Sequence, residues 1–140
     1  TLSCFLEGLW VCPRNIVDDD PVLKEMKKFS RYDLTSYQFQ PASEQPVYVQ
    51  NKNIHTSLYW KKNSALIYVA NLSNQKILQN FYINLTLKNW DRTTRIKIKS
   101  PHLMKKTNVE KLFKSGEKLM LSPWESYFIE IEKLSERKRT

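Results

Sequence analysis

Hydrophobic and polar residues alternate most regularly in the middle of the chain, on either side of a short polar turn. Residues 54–60 (IHTSLYW) have the period of two that a β-strand produces, and residues 65–70 (ALIYVA) are apolar almost throughout. A continuous apolar run of this length is typical of a central strand that is covered on both faces. The pattern therefore predicts a β-hairpin with Lys62 and Asn63 as its turn residues.

This turn also predicts which residues of the hairpin face each other. The expected inner-face pairs are Trp60 with Ala65, Leu58 with Ile67, and Thr56 with Val69. The outer face then carries Tyr59, Leu66 and Tyr68. Because an exposed apolar patch favours aggregation, we expect the segment from Leu2 to Phe29, a second sheet or another domain to cover it.

Further β-runs joined by polar turns predict an antiparallel β-sandwich of about seven to eight strands. The expected strands are residues 47–50, 54–60, 65–70, 78–87, 93–99, 109–113, 117–121 and 124–132. Alternation in these strands predicts that four side chains face inward, those of Phe81, Ile83, Leu85 and Leu87. It also predicts that Tyr127, Ile129 and Ile131 share one face. The fold class is therefore mainly β, with a short helical segment ahead of the sandwich.

The helical segment is predicted from the residues that follow Asp20. Asp20 is a suitable N-cap and Pro21 a suitable first residue, and apolar residues then recur at helical spacing up to Phe29. Residues 34–45 are rich in Ser, Thr, Gln and Pro and are interpreted as a connector. The expected organisation is a strand, helix and connector in residues 1–45, a sandwich in residues 46–133 and a charged tail in residues 134–140.

Composition supports one globular domain. The 140 residues are 41% hydrophobic, which excludes disorder for most of the chain, and no apolar run approaches the length of a membrane span. Cys4 and Cys12 would lie roughly 26 Å apart in an extended segment, so they are interpreted as two thiols unless the chain folds back between them. Neither histidine has ligand spacing to the other or to the cysteines, so we expect no metal and no cofactor.

The formal net charge of +9 raises the question of a nucleic-acid partner. In residues 95–99 (RIKIK), however, basic and apolar residues alternate, which is the pattern of a half-buried edge strand with a solvated basic face. No nucleic-acid-binding motif accompanies the charge. We therefore expect that this protein does not bind nucleic acid.

No arrangement of residues indicates a catalytic site. Glu7 and the aspartates 18–20 could be arranged as a general acid and base, but three consecutive aspartates ahead of a predicted helix are interpreted as its capping, solvated turn. The sequence also contains no Gly-rich phosphate loop and no nucleophile elbow. The chain alone is therefore expected not to be an enzyme.

Two stretches resemble a known group of proteins. The hairpin NIHTSLYWKKNSALIYVANLSNQ and the closing stretch LFKSGEKLMLSPWESYFIEI are similar to the C-terminal β-sandwich of large barrel-type glycoside-hydrolase-like proteins of bacterial polysaccharide degraders. The positions that match the closing pattern are Gly116, Leu119, Leu121, Pro123, Tyr127 and Ile129. The resemblance covers residues 46–133 well and residues 1–45 weakly.

This resemblance implies a non-catalytic accessory domain that packs against a catalytic barrel, whose carboxylates lie outside this chain. Tyr59, Leu66 and Tyr68 are then candidate interdomain contacts, and the parent protein would be secreted or periplasmic. The alternative is a carbohydrate-binding module for polysaccharide, in which exposed aromatic rings stack on sugars. Trp90, in the polar stretch KNWDR, and Trp124, beside Pro123, are the candidates for that role.

Overall fold

The computed structural model describes residues 26–134, within which nine strands form two antiparallel sheets. The strands are β1 (Gln38–Gln40), β2 (Tyr48–Val49), β3 (Ile54–Trp60), β4 (Ser64–Asn71), β5 (Ile77–Tyr82), β6 (Arg95–Ser100), β7 (Leu103–Asn108), β8 (Glu117–Leu121) and β9 (Ser126–Lys133). Residues 26–29 are helical, Val109–Lys114 form the helix α1, and Leu34–Ser36, Ala42–Glu44 and Leu85–Lys88 form short 3₁₀ helices. Cys4, Cys12, the aspartates at 18–20 and the tail from 135 onward lie outside the described residues.

The predicted mainly β fold and the predicted hairpin are confirmed. The larger sheet has the order β1-β3-β4-β9-β6-β7 and the smaller sheet the order β2-β5-β8. Strands β3 and β4 pair in the expected register, with Trp60 opposite Ala65, Leu58 opposite Ile67, and Thr56 opposite Val69. Strand β4 lies between β3 and β9 and is buried along nearly its whole length, as its continuous apolar sequence predicts.

The core between the sheets is apolar and follows the predicted parity. The predicted inward side chains that are buried there are Leu58, Ile67, Val69, Phe81, Ile83, Leu85, Tyr127, Ile129 and Ile131. Trp60 packs against the same core but is only partly buried. Val109 and Leu112 of α1 close one side of this core, where both are fully buried.

The strand predicted at residues 78–87 is shorter than expected. It ends at Tyr82, and residues 85–88 form a 3₁₀ helix, so Leu87 is 76% exposed instead of facing inward. The Asn84 side chain accepts a hydrogen bond from the Thr86 hydroxyl. Such local bonding by polar side chains competes with a strand ladder, which explains why the alternation in the sequence does not continue as β-structure.

Residues 109–113, predicted as a strand, are helical. The Asn108 side chain caps the helix by accepting a hydrogen bond from the Lys111 N–H at 2.8 Å. At the other end Gly116 has φ +70°, and its N–H donates to the Lys111 carbonyl at 3.1 Å. The Asn108 cap and the left-handed Gly116 therefore set the two ends of this helix. An apolar pattern over only five residues does not distinguish a helix from a strand.

Two further differences concern the edges of the larger sheet. Residues 38–40, interpreted as part of a connector, pair with β3 and form one edge. The basic strand β6 is not an edge strand, because β7 pairs with it and takes the outer position. Within β6 the predicted alternation holds, with Ile96 and Ile98 buried and Arg95 and Lys99 exposed.

Candidate functional site

Tyr59, Leu66 and Tyr68 form one contiguous patch on the face of the larger sheet that points away from the smaller sheet. Their exposures are 6%, 2% and 0%, and Phe128 of β9 joins them because it lies opposite Tyr68. The predicted patch therefore exists, but it is covered. These side chains offer no surface to another domain in this fold.

The cover is the chain's own segment of residues 26–42, which we call the covering segment. Phe29 is 2% exposed, and its ring centroid lies 4.8 Å from that of Tyr68 and 4.9 Å from that of Phe128. The Phe39 ring from β1 lies 4.7 Å from Tyr59. Of the three covers considered from the sequence, the N-terminal segment is the one that the structure shows, and it extends beyond Phe29 as far as Ala42.

Burial beneath this segment changes the acidity of Tyr59. Loss of hydration disfavours the phenolate and raises the pKa of Tyr59 to about 12. A phenol with this pKa is neutral at physiological pH. Tyr59 therefore contributes to packing rather than to acid-base chemistry.

Trp90 lies in the core rather than at the surface, which corrects the prediction that it offers its ring to a sugar. It is only 2% exposed. The 3₁₀ helix and Asn89, at φ 65°, turn the chain inward. The backbone N–H of Trp90 donates a hydrogen bond to the Leu85 carbonyl at 3.2 Å. The Nζ of Lys133 lies 4.7 Å from the centroid of the Trp90 ring.

Trp124, the other aromatic candidate, is 59% exposed and has a φ of 59°. The Glu125 N–H donates to the Ser122 carbonyl at 3.1 Å, which closes a tight turn with Pro123 and Trp124 at its centre. Proline followed by a residue with positive φ is the arrangement of a type II turn, where glycine is preferred. A bulky side chain at such a position is strained, and strained residues cluster at functional sites.

Trp124 forms part of the rim of a cleft of about 510 Å³, which we call the Trp124 cleft. Its charged lining comes from Lys28, Arg31, Lys99, Glu125 and Glu130. The Nζ of Lys28 donates to the carbonyl and hydroxyl oxygens of Ser126 at 2.9 and 3.0 Å, which joins the covering segment to β9. An exposed indole beside hydrogen-bond donors and acceptors is suited to a polyhydroxylated ligand.

The tyrosines of the Trp124 cleft are not poised as acids or bases. Burial, with a contribution from Glu130, raises the pKa of Tyr32, and burial likewise raises the pKa of Tyr127. The Tyr127 hydroxyl donates to the Met120 carbonyl at 2.7 Å. The Glu125 carboxylate accepts from the Ser122 N–H at 3.0 Å. The cleft is therefore better suited to binding than to proton transfer.

The outer face of the smaller sheet carries an apolar surface that the sequence analysis did not single out. Tyr48 and Leu78 are 63% and 65% exposed, and Tyr82 and Met120 beside them are half-buried. The Tyr48 and Tyr82 rings lie 5.9 Å apart. We call these four residues the outer tyrosine face. The signal was present in the sequence, because Tyr82 has the parity opposite to the inward Phe81.

Within residues 26–134 no group of three or more His, Cys, Asp or Glu side chains is placed to hold a metal ion. The Nε2 of His102 lies 3.5 Å from the Glu125 carboxylate, while His55 is exposed on β3. None of the helices in this part of the chain is long and apolar enough to cross a membrane.

No protein-family model matches this chain, and no curated protein matches it. Among solved structures the chain is similar to the crystal structure of a GH30 endoxylanase from Clostridium papyrosolvens C71, with 16% sequence identity and a TM-score of 0.36. The alignment covers 61% of this chain and 22% of that chain. This similarity is too low to assign an activity.

Proposed function

We propose that this chain is a non-catalytic β-sandwich accessory domain of a glycoside-hydrolase-like protein and that it packs against a catalytic barrel. The observation that carries the proposal is the outer tyrosine face. One outer face of the sandwich is covered by the covering segment, whereas the other leaves Tyr48 and Leu78 more than half exposed. On this face the exposed polar pair Asn80 and Lys118 lies between the apolar pairs Tyr48–Tyr82 and Leu78–Met120, and a mixed apolar and polar surface is typical of an interface between domains.

The resemblance in residues 46–133 supports a barrel as the partner. The residues that carry it have structural roles in the sandwich: Leu119, Leu121, Tyr127 and Ile129 are core residues, and Gly116 has the left-handed conformation that its turn needs. A resemblance made of framework residues indicates a shared architecture rather than a shared active site. It therefore favours the accessory role over an independent enzyme.

The docking proposal is tested by measuring how this chain binds a separately expressed barrel from its parent protein. We expect the double variant Tyr48→Ser, Leu78→Ser to bind the barrel at least about tenfold more weakly, or about 1.4 kcal/mol. The matched control is Leu87→Ser, Met104→Ser, which removes two side chains that are 76% and 66% exposed outside this face. Equal affinities of the two double variants would reject the outer tyrosine face as the docking surface, and a parent protein without a barrel would reject the proposal itself.

The Trp124 cleft favours a second candidate function, carbohydrate binding. Its exposed indole, held in a strained turn, would stack on the apolar face of a sugar, while Arg31 and Glu130 would bond the hydroxyl groups. Titration of the chain with neutral oligosaccharides, followed by tryptophan fluorescence, tests this function. We expect Trp124→Ala to weaken binding by at least about tenfold. Unchanged affinity would show that Trp124 is not the stacking residue.

A further inference from the structure

A second pocket lies at the tip of the β3–β4 hairpin and is strongly basic. This hairpin-tip pocket, of about 460 Å³, is lined by Lys61, Lys62, Lys88 and Lys133 together with Trp60 and Trp90. Among the described residues that line it there is no aspartate or glutamate. The sequence shows only Lys61 and Lys62 side by side, because Lys88 and Lys133 reach the pocket from distant parts of the chain.

Aromatic rings fix the position of three ammonium groups around this pocket. The Nζ of Lys88 lies 4.1 Å from the centroid of the Trp60 ring, that of Lys133 lies 4.7 Å from Trp90, and that of Lys61 lies 4.4 Å from Tyr37. A cation over a ring face is attracted by the quadrupole of the ring. The lysines are therefore partly ordered before a ligand arrives, which reduces the entropy lost on binding.

Trp90 is the buried aromatic residue of the pocket lining. Its side chain lines the pocket and is 2% exposed, and its indole Nε1 is buried without a hydrogen-bond partner among the described residues. An indole N–H can only donate. A buried donor without an acceptor is rare in folded proteins. Because this N–H is inaccessible from the pocket, the need for an anionic oxygen acceptor rests on the ammonium groups alone.

We propose that the hairpin-tip pocket binds an acidic polysaccharide through the carboxylate of a uronic acid residue. A carboxylate accepts charge-assisted hydrogen bonds from ammonium groups. Stacking of nucleic-acid bases is disfavoured, because lysines already lie over the Trp60 and Trp90 rings that bases would use. The choice of a polysaccharide among polyanions rests on the proposed function in polysaccharide degradation.

The test compares polygalacturonate with neutral dextran and with dextran sulfate as probes for the full chain. We expect binding of polygalacturonate but not of dextran, and at least about a tenfold weaker affinity for Lys88→Gln, Lys133→Gln. The matched control, Lys76→Gln, Lys111→Gln, removes the same charge from two exposed lysines outside the pocket. It should change affinity by less than about twofold, while thermal unfolding verifies that both double variants fold.

Equal weakening by both double variants would overturn the proposal, because attraction by the diffuse net charge would then account for binding. Absence of polygalacturonate binding would also overturn it. Tighter binding of dextran sulfate or of single-stranded DNA than of polygalacturonate, compared at equal concentrations of charged groups, would overturn it as well. Failure here is separable from failure of barrel docking, because docking is read out with Tyr48 and Leu78, which do not line this pocket.

Discussion

Trp124 combines exposure, a strained backbone and a place on the rim of a cleft. Its φ of 59° belongs to a region that side chains with a Cβ atom rarely adopt. Two hydrogen bonds between backbone groups fix this geometry. The backbone N–H of Trp124 donates to the Ser73 carbonyl at 3.1 Å, and that of Glu125 donates to the Ser122 carbonyl at 3.1 Å. The surrounding structure therefore holds the indole in place at some cost in stability.

Two variants at Trp124 separate backbone strain from the indole ring. Trp124→Gly and Trp124→Ala both delete the ring, but only alanine keeps a Cβ atom in the left-handed region. We expect the glycine variant to be more stable than the alanine variant by about 1 kcal/mol, measured by urea denaturation. A more stable alanine variant would show that this turn is not strained. Both variants should lose any sugar affinity that depends on the indole.

The raised pKa of Tyr59 predicts a loss of stability at alkaline pH. The pKa is about 10 in the unfolded chain and about 12 in the folded protein, so the folded state holds its proton more tightly. The contribution of Tyr59 to the free energy of unfolding is therefore fully present below about pH 10. It is lost as the pH rises from about 10 to about 12.

Tyr59→Phe removes this titration, so its free energy of unfolding should fall less steeply than that of the parent over that pH range. Urea denaturation at a series of pH values measures both slopes. Tyr48→Phe is the control, because Tyr48 is 63% exposed. Parallel curves for the parent and Tyr59→Phe would contradict the prediction.

At the scale of elements, the covering segment depends on few side chains. Phe29 is its most buried residue and contacts both Tyr68 and Phe128. We expect Phe29→Ala to lower the free energy of unfolding by about 3 to 5 kcal/mol and to increase binding of a dye that reports exposed apolar surface. The exposed neighbour Lys27→Ala is the control, with a change below about 0.5 kcal/mol. A similarly small change for Phe29→Ala would show that the patch is covered mainly by other residues.

Most elements with a complete local pattern could be predicted from the sequence, except that the alternation at residues 81–87 ends in a 3₁₀ helix, and elements that depend on distant partners could not. The hairpin and β9 have clear parity, so their faces were predicted correctly. Strand β7 (LMKKTN) lacks apolar alternation and owes its conformation to pairing with β6. Strand β1 was likewise missed because its conformation depends on pairing with β3. Exposure of Trp124 was predictable from its proline turn, whereas burial of Trp90 depends on how residues 85–90 fold back onto the core.

At the scale of the whole molecule, residues 26–134 form three layers: the smaller sheet, the larger sheet and the covering segment. The outer tyrosine face and the hairpin-tip pocket belong to different surfaces, and the described residues that line the pocket include none of the four residues of that face. The proposed docking and the proposed ligand binding therefore do not compete for the same residues. An accessory domain with this arrangement would hold a polysaccharide near a partner barrel.

We expect no glycosidase activity from the isolated chain. The described carboxylates of the Trp124 cleft, Glu125 and Glu130, lie among lysine and arginine side chains and beside tyrosines whose raised pKa keeps them protonated. Hydrolysis of aryl glycosides by the purified chain, compared with a Glu125→Gln, Glu130→Gln variant, is the measurement. Turnover that the parent shows and this variant lacks would establish a catalytic site here and reject the non-catalytic role. Equal traces of activity in both proteins would indicate a contaminating hydrolase.

The covering segment also bears on how such a domain can be exchanged between genes. A recombination event at residues 45 and 46, where the β-rich sequence begins, would separate Phe29 and Phe39 from the sheet face that they cover. The recipient would inherit a sandwich with Tyr59, Leu66 and Tyr68 facing water, a surface prone to aggregation. Successful transfers should therefore carry Phe29 and Phe39 together with the sandwich. In related genes, the unit that travels intact would include the covering segment together with the sandwich.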